Sequence, residues 1–195
     1  MKFSFFALIS RMKNITRWSL MRNSAIENVQ EHSHMVAVIA HALAVIRRDV
    51  LGVGTDPGKI AATALFHDAS EIFTGDMPTP VKYFDPEIMS AYKRVESMAS
   101  QKLLSTLPPE MRPEYEGLLS PRDSDALAIV KAADKLAAYI KCLEELRAGN
   151  LEFRLAAVQS REKIEALGMP EVDYFIGNFI QAFDQTLDEL DFSFD

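Results

Sequence analysis

The chain has 195 residues, 48% of them hydrophobic and 25% charged, the make-up of a globular protein able to bury a core. Its single cysteine, Cys142, excludes an intrachain disulfide and points to a reducing, cytoplasmic setting. Twenty-eight acids against 21 bases give a net charge of −7, which disfavours a nucleic-acid polymer as partner, and the most apolar stretch, Met35 to Ile46, falls short of the roughly 20 residues that span a bilayer.

The N-terminal run MKFSFFALISRMK begins like a secretion signal, but Arg11 and Lys13 follow at once and no small-residue cleavage site appears. Phe5, Leu8, Ile9 and Met12 fall at helical spacing, which predicts a short amphipathic helix packed on the body. Asn28, three residues ahead of Glu31, reads as a capping box that opens a helix. Along that helix His32, Val36, Ile39, Leu43 and Ile46 share one stripe, while His34, Val38, His41 and Val45 share another. His32 is expected to point inward, and His41 to be a hydrogen-bonded packing residue. Asp56-Pro57 predicts a second core helix that runs to about Phe73, with Ile60, Ala61, Ala64 and Leu65 buried. Two prolines and a glycine make Thr74 to Pro80 a rigid loop.

From Asp85-Pro86 a helix is expected to carry Ile88, Tyr92, Val95, Met98, Ala99 and Leu103 up to Pro108-Pro109, and a shorter piece to cover Glu110 to Leu119. Leu127, Val130, Ala133, Leu136, Ala137, Ile140 and Leu143 form a strong helical stripe that ends at Gly149. Two more helices are expected near 151–166 and 171–190. No segment alternates apolar and polar residues with β-branched enrichment, and neither a repeat nor a shift in composition marks a boundary. The expectation is an all-α, single-domain helical bundle over residues 1–195.

The chemistry concentrates in few places. All four histidines lie between positions 32 and 67. His67-Asp68 is followed by Glu71, so on a continuous helix His67 and Glu71 stand one turn apart on one face. As an isolated dipeptide, His67-Asp68 reads as a helix-end histidine beside a solvated aspartate. His32, inward on the preceding helix, and Asp134, which interrupts the apolar stripe of Val130, Ala133, Ala137 and Ala138, change that. A carboxylate set against an apolar face costs several kcal/mol unless it is paired or bound to a cation. Two imidazoles and two carboxylates make a mixed N/O set suited to manganese, iron, cobalt or zinc, with positions left open for water and substrate.

His32, then His67-Asp68, then Asp134, each on a different helix, resemble the H…HD…D signature of the HD-domain phosphohydrolases. The blocks RW at 17–18, ENVQEHS at 27–33, FHDASEIFTGDMPTPVKYF at 66–84 and KAADKLAAYIKCLEEL at 131–146 are similar to bacterial 5′-deoxynucleotidases. The resemblance implies hydrolysis of deoxyribonucleoside 5′-monophosphates to deoxynucleoside and phosphate, by a homodimer of the helical HD type that uses a divalent transition metal, and a set of four ligands favours one ion over two. It further implies His32, His67, Asp68 and Asp134 as metal ligands, with Glu71 as general acid/base. Arg17 would orient the phosphate, and Trp18 would close on the place of a 2′-hydroxyl. Asp76, Met77, Pro78 and Thr79 would line the sugar and base end, with Asp76 accepting from the 3′-hydroxyl.

Independent chemistry agrees with these roles. Phosphate monoesters are among the slowest esters to hydrolyse, so a catalyst must offset oxygen charge and supply a nucleophile, and a divalent ion does both. An arginine fork matches two phosphate oxygens. His34, about 200° around the helix from His32, cannot face the same ion and is left between an outer-shell role and the surface. Glu144 and Glu145 read as solvated or interfacial, Lys82 as a surface lysine, and Cys142 as core or interface filler. Two other functions fit the same residues: a phosphohydrolase acting on another small nucleotide, and a non-catalytic helical nucleotide-binding module.

Overall fold

The computed structural model describes residues 2–82 and 84–190. Among them no strand occurs, and the bridge between Thr16 and Asn28 is isolated, so the fold is all-α as expected. Helix α1 (Phe5–Ile9) runs into a 3-10 turn, Ser10–Asn14, and buries Phe5 and Met12. Helix α2 (Val29–Val45) opens on the expected capping box: Asn28 accepts from the backbone of Gln30 and Glu31, and Glu31 accepts from the Asn28 backbone. Its inner stripe is buried as read, whereas His34, Val38 and His41 are exposed. His41 is therefore not a packing residue, because only one face of α2 meets other helices.

Helix α3 (Pro57–Leu65) starts on its Asp56 cap and Pro57 but does not reach Phe73. After Leu65, which is exposed along with one side of the helix, the backbone switches to tighter bonds, with His67 N–H on the Ala64 carbonyl, Ala69 on Phe66 and Glu71 on Asp68. No proline or glycine announces this break. Its cause is tertiary: Ala64 packs into the main core with α2, whereas Ala69 packs into a second cluster with Phe5, Leu103 and Leu107. The chain must turn between the two. A short α4 (Glu71–Thr74) follows, closed by Gly75 at φ +71, and α5 (Thr79–Lys82) begins within the segment expected to be loop throughout.

Helix α6 (Pro86–Ser105), capped by Asp85, buries Tyr92, Ala99 and Leu103 but leaves Ile88, Val95 and Met98 exposed, so its inner face is narrower than read. A 3-10 turn, Pro109–Met111, precedes α7 (Arg112–Leu119). Helix α8 (Ser124–Arg147), capped by Asp123 and ended before Gly149 at φ +83, is the central strut, burying Ile129, Ala133, Leu136 and Ile140 against α2 and α3. Helices α9 (Arg154–Glu165) and α10 (Pro170–Phe179) complete the bundle, α10 passing into a 3-10 turn at Ile180–Asp184 rather than continuing to 190. Among the described residues no helix is long and apolar enough to cross a membrane.

A third cluster joins Cys142, Phe153 and Ala157 with Trp18 and Met21. Burial pushes the Cys142 thiol up to about 11, which makes it inert filler. Beside it Glu145, expected to be solvated or interfacial, is buried within the chain and paired with Lys141. The carboxylate accepts from the Ser24 N–H at 2.8 Å and from Asn150 Nδ2 at 2.7 Å, while Lys141 Nζ donates to the Ala25 carbonyl at 2.6 Å. This pair latches the segment after Trp18 onto α8. Removing one partner strands a buried charge, so Glu145→Ala is expected to cost about 3–5 kcal/mol of unfolding free energy, measured by urea titration. A loss below about 1 kcal/mol would show that the latch is dispensable.

Candidate functional site

The site forms where the three clusters meet. His32 stands in the first turn of α2, held inward by the capping box, and is fully buried. His67 and Asp68 occupy the turn between α3 and α4, and Asp134 projects from α8. His32 Nε2 lies 3.0 Å from Asp134 Oδ1 and 3.8 Å from Asp68 Oδ2, while His67 Nε2 lies 3.1 Å from the same Asp68 oxygen. Ligating atoms of His32, His67 and Asp68 fall within 4.8 Å of one another, and Asp134 joins them through His32. Four side chains separated by up to 102 positions thus converge.

The ring orientations suit a cation. His67 Nδ1 lies 2.8 Å from the Ala64 carbonyl, to which only a protonated nitrogen can donate, so Nε2 faces the cluster. That Nε2 is buried and makes no aligned hydrogen bond, its 3.1 Å approach to Asp68 Oδ2 being a charge contact. Once it gives up its proton, this buried nitrogen amid two carboxylates and a second imidazole completes the donor arrangement a divalent transition metal takes up.

Arg17 reaches the cluster from the N-terminal segment. The bridge between Thr16 and Asn28 pairs it with the chain entering α2: Arg17 N–H donates to the Glu27 carbonyl and Val29 N–H to that of Ile15, both at 2.9 Å. Its guanidinium donates from Nη1 to Asp68 Oδ2 at 3.4 Å and from Nε to Glu27 Oε2 at 3.3 Å. Trp18 has φ +56, a left-handed conformation that costs a bulky residue about 1–3 kcal/mol and persists only where its surroundings enforce it. Here they do. The indole Nε1 donates to Glu27 Oε2 at 3.0 Å, the ring lies 5.3 Å from that of Phe153, and the Trp18 carbonyl accepts from Met21 N–H at 2.9 Å.

Glu71, the first residue of α4, is buried, and its Oε2 has no hydrogen-bond partner. His67 and Glu71 are not neighbours on one helix face as expected, because the helix ends before both. What ties them is the turn, in which Glu71 N–H donates to the Asp68 carbonyl at 3.0 Å. Burial, then the charges of Asp68 and Asp76, push the Glu71 carboxyl up to about 9. Burial also works to raise Asp68, but the adjoining imidazole of His67 outweighs it and holds that carboxylate below its usual range. For His67 burial disfavours the charge, and Asp68 overcomes it, lifting the imidazole to about 9. Neighbouring carboxyls are driven apart: one keeps its proton at neutral pH and one does not.

Asp76 is half-buried in the 75–78 loop, its carboxyl raised first by burial and within the fields of Arg17, Asp68 and His32. Tyr92 of α6 anchors that loop, its hydroxyl 3.3 Å from Thr74 Oγ1 and 3.5 Å from the Gly75 carbonyl. Met77 and Pro78 are half-buried beside Asp76, and the Thr79 side chain lies outside the described residues. His34 points away on the exposed face of α2. Lys82 pairs with Glu96 at 3.0 Å and lies over the Tyr92 ring, so it belongs to the α5–α6 packing rather than the open surface. The residue that the sequence reading passed over is Glu27, which holds Arg17, Trp18 and the outer edge of His32. Its position at the head of the 27–33 block was the only signal.

The model of the 5′-deoxynucleotidase YfbR-like family matches residues 4–183. A 5′-deoxynucleotidase of Photobacterium profundum is 48% identical over 97% of this chain and 98% of its own, and the 5′-deoxynucleotidase YfbR of Salmonella typhi is 48% identical over 95% and 94%. Among solved structures, an HD-domain phosphohydrolase from Listeria innocua superposes with a TM-score of 0.77 at 26% identity, covering 92% of this chain and 88% of that one. The HD phosphohydrolase DatZ of cyanophage S-2L, solved bound to dA and one catalytic Zn2+ ion, shares the fold at a TM-score of 0.66 and 17% identity, covering 93% and 99%. By a family match over nearly its whole length and by these relatives, the chain belongs to the YfbR-like 5′-deoxynucleotidases, within the HD-domain phosphohydrolase fold.

Proposed function

We propose that the protein hydrolyses deoxyribonucleoside 5′-monophosphates to deoxynucleoside and phosphate, using one divalent transition-metal ion held by His32, His67, Asp68 and Asp134. The observation that carries this reading is the convergence within 4.8 Å of ligating atoms from His32, His67 and Asp68, with Arg17 and Glu71 against Asp68. When bound, the ion supplies positive charge for a phosphoryl oxygen and makes water more acidic at neutral pH.

The other tasks fall to this chain's own residues. Arg17, kept charged because Asp68 outweighs its burial, presents a planar fork to two phosphate oxygens. Glu71 is protonated near neutrality and so is set to give its proton to the departing 5′-oxygen, then to recover one from water. Trp18, locked by Glu27 and Phe153, closes the space that a ribose 2′-hydroxyl needs. Asp76 accepts from the 3′-hydroxyl, and Met77, Pro78 and Thr79 border the base. The working protein is a cytoplasmic homodimer organised as one domain.

Purified protein supplied with Mn2+, Co2+, Fe2+ or Zn2+ is expected to release phosphate from dAMP and TMP, and roughly tenfold or more slowly from AMP. Equal rates on AMP and dAMP would remove the role of Trp18, and no release from any deoxynucleotide would overturn the function.

A further inference from the structure

Three groups that serve different ends in the reading above, the ligand His32, the phosphate-facing Arg17 and the sugar-facing Trp18, lean on one carboxylate, which that reading uses only to hold Trp18. Glu27 Oε2 accepts from Arg17 Nε at 3.3 Å and from Trp18 Nε1 at 3.0 Å. Glu27 Oε1 faces His32 Nδ1 at 3.7 Å. The two oxygens are thus divided, one taking both substrate-side donors and the other turned to the ligand imidazole. His32 Nδ1 is buried and has no closer partner, so a proton on it points to Glu27 and leaves Nε2 toward Asp68 and Asp134. The backbone is tied as tightly, since the Glu27 carbonyl receives the Arg17 N–H at 2.9 Å.

We infer that Glu27 is a positioning residue that couples cation capture at His32 to the seating of Arg17 and Trp18 around the substrate, an inference that rests on the site roles proposed above. When His32 commits its Nε2 electron pair to a cation, its Nδ1–H becomes a stronger donor and draws Glu27 inward. Arg17 and Trp18, bonded to the other oxygen of that carboxylate, move with it. Such coupling is reciprocal, so a nucleotide seated on Arg17 and Trp18 tightens the hold of His32 on the cation.

The chain contains one tryptophan, so indole emission reports Trp18 alone. Titration of the metal-free protein with Zn2+, without nucleotide, is expected to shift that emission in the wild type. Glu27→Gln keeps the shape and gives up the charge; it is expected to bind Zn2+ about 10- to 100-fold more weakly and to lose the emission shift even at saturation. On dAMP, its KM should rise and its preference over AMP should fall. Circular dichroism melting establishes that the variant is folded; should it not fold, Glu27→Asp, which withdraws the charge by one methylene, is read by the same two signals. Because the titration contains no nucleotide, absence of phosphatase activity in the wild type would overturn the proposed function and leave this coupling standing. Wild-type Zn2+ affinity with an unchanged emission shift in Glu27→Gln, or no shift in the wild type, would overturn the coupling.

Discussion

Glu71→Ala is expected to lower kcat on dAMP by about 10²–10⁴, roughly 3–5 kcal/mol of transition-state stabilisation, while nucleotide affinity stays within a few-fold of wild type. The expectation follows from the environment of the carboxyl. It is buried, one oxygen has no partner, and burial together with Asp68 and Asp76 lifts it to about 9. A buried protonated carboxyl with one oxygen left unpaired among the described residues contributes little to stability but can serve a reacting oxygen. Single-turnover rates and equilibrium dAMP binding, measured on one preparation, separate the two quantities. A binding module has no use for such a group, so an unchanged rate would move proton transfer to another residue, and loss of binding alone would make Glu71 part of the nucleotide pocket.

The second large effect is expected from Asp68→Ala. Asp68 Oδ2 lies 3.1 Å from His67 Nε2, 3.4 Å from Arg17 Nη1 and 3.8 Å from His32 Nε2, so its loss removes a ligand and leaves three cationic or ligating groups facing one another. Elemental analysis should find the variant without metal and a phosphatase assay should find it inactive. In the wild type, metal at about 1,000 times its Kd should raise unfolding free energy by about 4 kcal/mol, an increment absent from the variant. Full metal occupancy in Asp68→Ala would refute the ligand assignment.

The same pair predicts a pH dependence in metal-free protein. Asp68 is held below its ordinary 3.8, so its contribution is present above that value and lost in acid. His67 is raised from 6.5 to about 9, so its contribution is complete below 6.5 and lost as pH rises through 9. The stability advantage of wild type over Asp68→Ala in chelator should therefore be greatest between about pH 4 and 6.5 and shrink toward pH 9. Metal affinity should run the other way at the alkaline end, since His67 must give up its proton to act as a ligand.

Much of this molecule is written in short-range pattern. The Asn28–Glu31 capping box, the aspartate caps at 56, 85 and 123, the inner stripe of α2 that carries His32, and the polar intrusion of Asp134 on α8 are each decided within one or two turns of chain. There the local hydrogen bonds and the helical period leave few alternatives. The same local signals predict a helix through His67 that the fold does not form, since residues 57–73 contain no breaker after Pro57 and Gly58 and local propensity favours continuation.

Only the assembled bundle decides that Ala64 and Ala69 enter different cores, and so that His67 and Asp68 stand in a turn with their side chains toward His32 of α2. It likewise decides that Glu145 is buried against Lys141 and that Glu27 joins Arg17, Trp18 and His32. Those partners lie beyond any periodic spacing or, for Lys141 and Glu145, at a spacing equally common on exposed helices. A charge's burial depends on what the rest of the chain packs over it, and helical period alone carries no information about that.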